Sequence, residues 1–139
     1  MVDINYWAVL VAAIASMVVG FLWYGVFFKK PWMEMMGITS EGMSGGKMTA
    51  NKAYAIQFVA SLVMAYILSH TLTFAMAYLN TDGVNAGITT GFWNWLGFVV
   101  PVTLGIVLWE NKSWKLWMIN ASHYLVSLVV MGVILSLWR

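Results

Sequence analysis

A bundle of four membrane-spanning α-helices is the fold class this sequence predicts, on three observations. Of its 139 residues 62% are hydrophobic, only 9% are charged, and four runs of more than twenty residues contain no Asp, Glu, Lys or Arg. A soluble domain is about 45–50% apolar and about 25% charged, and a soluble fold of this length has too little interior to hide the excess. Crossing a hydrocarbon layer of roughly 30 Å takes about 20 mostly apolar residues, so each run is long enough to span.

The first run, residues 4–28, lacks the basic n-region of a signal peptide and exceeds an h-region of roughly 7–15 residues, so it is expected to stay in the mature chain. Its end is set by Lys29, Lys30 and Pro31, because proline lacks the N–H that a continuing helix needs. The connection that follows, Lys29 to Lys52, is the only long loop. Within it, Pro31 at a first helical position and Gly37 at a cap predict a short helix lying on the membrane interface. Met33, Met35 and Met36 would be immersed there, and Gly42, Ser44, Gly45 and Gly46 read as flexible.

The remaining runs, 53–79, 87–109 and 116–138, complete one integral membrane domain. Lipid gives helices no hydrophobic reason to associate, so contact is expected where small residues let backbones approach. Ala8, Ala12, Ser16 and Gly20 recur at steps of four in the first run, and Ala53, Gln57, Ser61, Ala65, Ser69, Thr73 and Ala77 do so in the second. In the third, Gly97, Pro101 and Gly105 share that spacing, with Pro101 expected to kink the helix.

Lysine and arginine are retained on the cytoplasmic side of short loops. Lys29, Lys30, Lys47 and Lys52 lie in the first connection and Lys112 and Lys115 in the third, against Arg139 alone on the other side. Both termini are therefore expected outside, in a multi-pass protein of the plasma (inner) membrane. The tryptophans read as interfacial anchors: Trp7 and Trp138 at the outer ends, and Trp32, Trp109, Trp114 and Trp117 at the inner ones. Trp93 and Trp95 lie deeper.

Several chemistries are excluded. Without cysteine there are no disulfides or thiolate metal sites. A net charge of +2 is too small to indicate nucleic acid, and Gly45-Gly46-Lys47 lacks the spacing of a phosphate-binding loop. No metal, haem or other cofactor is expected. No span contains a carboxylate, so neither a paired-carboxylate nor an H-E-x-x-H zinc arrangement can form in the bilayer. Ser127 with His123 would lack the glycine-flanked elbow of a nucleophile. The reading is of a non-enzyme with no catalytic residues.

Ionisable residues within a membrane are costly and so are candidates for function. There are two, His70 and His123. His70 and Asn94 lie about equally deep, roughly 18 Å from the short turn near Asp82 at 1.5 Å per residue, so the two could meet. His123 lies near the midplane, with Asn120 and Ser127 on its helical face and Tyr124 beside it. With Gln57 these form a candidate polar path, since histidine titrates near neutrality. The competing account is that they bridge helices by hydrogen bonds.

Four-helix exporters of the small multidrug resistance type match in size but depend on a glutamate in the first span, which is absent here. A fuller resemblance runs through Asn5-Tyr-Trp-Ala-Val-Leu-Val11, Gly20-Phe-Leu-Trp-Tyr-Gly25 with Lys30-Pro-Trp-Met33, Gly91-Phe-Trp-Asn-Trp-Leu-Gly97-Phe98, Ile119-Asn120 and Met131-Gly132. In order and spacing these segments resemble the bacterial family called domain of unknown function 1761. The resemblance implies a small multi-pass bacterial membrane protein and carries over no activity or site residue.

Three functions follow as expectations. The first is a homo-oligomeric conduit or transporter for a small solute or ion, since four helices hardly enclose a pore alone. The second is an accessory or scaffold protein with a membrane-protein partner. The third is an enzyme acting on a lipid or quinone. Membrane lipid surrounds the chain in all three.

Overall fold

The computed structural model describes residues 3–39 and 48–139, and within them the chain is all-helical with no strand. Helix α1 runs Tyr6–Phe27, α2 Lys29–Met36, α3 Ala50–Leu79, α4 Gly83–Leu108 and α5 Trp114–Leu137. All but α2 are long and apolar enough to cross a membrane. The largest departure from the expected boundaries is at α4, which begins at Gly83 instead of residue 87. The glycine-rich part of the first loop, with Lys47, lies outside the described residues.

Local chemistry sets these boundaries. The side chain of Asn5 accepts from the amides of Trp7 and Ala8 at 3.0 and 3.2 Å, capping α1, and Ser113 Oγ accepts from Leu116 at 3.1 Å, capping α5. At the end of α2, Gly37 adopts φ 66°, where a side chain would be strained, and Ile38 and Gly37 donate back to the carbonyls of Met33 and Glu34. The start of α2 corrects the sequence reading. The helix begins at Lys29, and Pro31 is its third residue, a position whose missing N–H would have had no partner within the helix. Asn80 and Gly83, at φ 51° and 58°, reverse the chain between α3 and α4.

Two stretches depart from α geometry: Leu22–Phe27 in α1 and Trp95–Val99 in α4 are π-helical. The second precedes Pro101. In a regular helix the proline ring would meet the carbonyl four residues back, and here the wider turn, closed by Val100 N–H to the Trp95 carbonyl, leads into it. Beyond Pro101 the helix is broken again at Leu104.

α5 is the hub, packing against α1, α2, α3 and α4. Its most extensive partner is the Gly83–Asn94 half of α4. There the backbones touch. A Cβ on Gly87 would lie 2.5 Å from the Gly132 carbonyl oxygen, and one on Gly91 2.6 Å from that of Leu128, so only glycine fits at either place. α1 packs against α3 and α5 through Ala8, Ala12, Ala13 and Ser16, all buried. Outward-facing side chains are large and apolar, Phe98, Val102 and Trp109 among them, as suits a surface in hydrocarbon.

Candidate functional site

Gly20 and Tyr24 of α1 face His123 of α5. A Cβ on Gly20 would stand 3.4 Å from His123 Nε2, and the Tyr24 and His123 rings are 4.9 Å apart. The imidazole thus stands against α1 at Gly20, where a Cβ would be in van der Waals contact with it. One turn on, the Tyr24 hydroxyl donates to Asn120 Oδ1 at 2.9 Å, and its ring packs on Trp32 of α2 at 5.3 Å. Tyr24 lies within the π-helical stretch of α1, a feature frequent at functional sites.

Two indoles frame Asn120. Trp23 Nε1 donates to the Ile119 carbonyl at 3.0 Å, and Trp95 Nε1 to that of Ala121 at 2.7 Å. Both come from π-helical stretches. They pin one turn of α5 from α1 and from α4, so the position of Asn120 is held from both sides.

His123 is bonded differently. Its Nε2 lies 3.4 Å from Ser127 Oγ on its own helix, and Nδ1 is buried without a hydrogen-bond partner among the described residues. A neutral imidazole has one N–H and one acceptor nitrogen. If Nε2–H donates to Ser127, Nδ1 is an unpaired acceptor; if Ser127 donates, Nδ1–H is an unpaired donor. In either tautomer a polar atom is held out of water, which typically costs about 1–3 kcal/mol.

The other sequence candidates fall elsewhere. Tyr124 joins the cluster through its ring, 5.0 Å from His123, and Ser127 is fully buried. His70 Nδ1 is bonded to the Tyr66 carbonyl and Asn94 donates to that of Thr90, so each uses its own helix and no bond joins them. Gln57 is exposed on α3. Ala12 and Ser16 are buried at the α1 seam, whereas a Cβ on Gly97 would meet nothing within 4 Å and one on Gly105 only Trp109 of its own turn. The small residues that join α4 to α5 are Gly87 and Gly91, and Pro101 lies in the irregular part of α4.

Sequence reasoning missed Trp23, Tyr24 and the Gly87/Gly91 pair. Tyr24 continues the step of four from Ala12, Ser16 and Gly20, and Gly87-Ile-Thr-Thr-Gly91 is itself a G-x-x-x-G spacing, so both signals were present. Among the described residues no three His, Cys, Asp or Glu side chains converge as metal ligands. Neither His123 nor Ser127 is hydrogen-bonded to a carboxylate there.

Fold and site together define a small all-helical protein with four helices able to cross a membrane and a polar cluster on the α1–α5 seam. The chain belongs to the family described as protein of unknown function (DUF1761), whose family model matches residues 7–136, nearly its whole length. No curated protein and no solved structure matches it.

Proposed function

We propose that this protein crosses the inner membrane of a bacterium four times, with both termini outside and α2 at the inner interface, and that an assembly of copies conducts or transports a small polar solute or ion. The observation that carries the reading is the bonding of His123. A histidine retained to join helices would share its nitrogens with a neighbouring helix. Here the joining is done by Tyr24 to Asn120, Trp23 to Ile119 and Trp95 to Ala121, while among the described residues the imidazole keeps a buried nitrogen unpaired. An unsatisfied buried group in a native fold calls for an explanation, and a passing solute or proton supplies one.

Placement supports the same reading. Three of the segments that carry the family resemblance, Gly20–Gly25, Gly91–Gly97 and Ile119-Asn120, meet around Asn120. The π-helical turns on α1 and α4, which carry Trp23, Tyr24 and Trp95, are of a kind frequent at functional sites.

The test is osmotic shrinkage of proteoliposomes in glycerol, urea and potassium chloride gradients, with wild type beside His123→Ala and oligomeric state determined in the same lipid. Flux of one or more probes above protein-free vesicles, reduced at least tenfold in a folded variant, is the expected result. Equal flux in wild type, variant and empty vesicles, or a strictly monomeric protein, would overturn the proposal.

A further inference from the structure

The start of α1, the Ser69–Thr73 stretch of α3 and the end of α5 line an open cleft of about 490 Å3, within the range of small-molecule sites. Its polar lining has two signs. Asp3 stands before α1 and Arg139 after α5, and both border the cavity. The Arg139 guanidinium lies against Met76 Sδ at 2.8 Å, a neutral neighbour that leaves its charge in place. On the α3 wall, Ser69 Oγ donates to the Tyr66 carbonyl at 2.7 Å and Thr73 Oγ1 to that of Ser69 at 2.9 Å. With their hydrogens used on α3, both hydroxyl oxygens remain as acceptors.

Beside the neutral N–H groups of Asn5 and Trp138, the cleft therefore offers three acceptors, Asp3, Ser69 and Thr73, and one cationic fork, Arg139. A primary ammonium has three hydrogens to donate, and a guanidinium matches a carboxylate in two parallel bonds. The apolar surface a ligand would touch in the cleft comes from Ile4 and Trp138, above the buried Ala8, Leu72 and Leu135. We infer that this cleft binds a small zwitterion of the α-amino acid type with a short apolar side chain, its ammonium toward Asp3 and α3 and its carboxylate toward Arg139. The inference concerns equilibrium binding and stands apart from the transport reading, because no flux is needed to observe it.

The experiment is binding of radiolabelled L-valine to the full chain in lipid nanodiscs, with competition by isovalerate and isobutylamine. These are valine without its ammonium and valine without its carboxylate. Saturable valine binding at least tenfold tighter than either competitor is expected. Asp3→Asn should reduce valine affinity to about that of isovalerate, and Arg139→Gln to about that of isobutylamine. Both residues lie outside the helices, so folding should be retained, as size-exclusion elution of the nanodiscs would show. His123→Ala should leave binding unchanged, which separates failure of this site from failure of the transport proposal. Absence of saturable valine binding, equal affinity for a singly charged competitor, or binding that both charge variants leave intact would overturn the inference.

Discussion

The Tyr24 hydroxyl donates to Asn120 Oδ1 across the α1–α5 seam at 2.9 Å, with the Tyr24 ring also packed on His123. Interhelical hydrogen bonds in membrane proteins are worth about 0.6 kcal/mol on average and up to about 1.7. A double-mutant cycle of Tyr24→Phe and Asn120→Ala, read by reversible unfolding in mixed micelles, should give a coupling energy in that interval. A coupling near zero would mean that the bond does not hold the seam.

The glycine contacts of α4 give a contrast within one helix. Gly87→Ala places a methyl against the Gly132 carbonyl, which neither backbone can avoid without moving apart. Overpacking of this kind costs about 1–3 kcal/mol. Gly97→Ala meets nothing and should be neutral or stabilising by up to about 1 kcal/mol, since glycine is a poor helix former. Unfolding midpoints of the two variants, compared with wild type, should move in opposite directions or differ by at least the overpacking cost.

Capping of α1 can be tested without touching any helix contact. Asn5→Ala removes the side chain that accepts from Trp7 and Ala8, for an expected loss of about 1 kcal/mol. Amide hydrogen exchange should quicken in the first turn of α1 and stay as in wild type at Ser16 and beyond. Uniform acceleration along the helix would show that the cap also supports the bundle.

The four long helices were legible because a hydrocarbon layer excludes charge, and every Asp, Glu, Lys and Arg lies in a connection or near a helix end. The seams were less legible. Depth along the membrane normal can be counted from a turn, but the direction in which a side chain points cannot, so His70 and Asn94 share a level and bond separately. In a regular helix Gly97, six residues past Gly91, already points about 120° away from it, whereas Gly105 would return to the face of Gly87 and is turned off it by about 100° because the π-helical stretch adds a residue. The end of α2 at Gly37 is readable from its glycine, whereas its start is not, because the charges of Lys29 and Lys30 read as loop although the two residues form its first turn.

Replacing His123 itself separates bridging from function. The bland account makes the imidazole a bond between helices, so that an apolar substitute should destabilise the bundle. The geometry argues otherwise, since among the described residues His123 Nδ1 is unpaired and Nε2 reaches only Ser127 of its own helix, at a loose 3.4 Å. An apolar substitute removes the unpaired Nδ1 but leaves the fully buried Ser127 hydroxyl without its Nε2 neighbour, two effects of about 1–3 kcal/mol each and opposite sign that roughly cancel. His123→Leu should therefore unfold within about 0.5 kcal/mol of wild type, or later, while losing whatever flux the wild type supports. A loss of about 2 kcal/mol or more would place His123 among the bonds that hold α5 to α1, and the unpaired nitrogen would no longer argue for a solute.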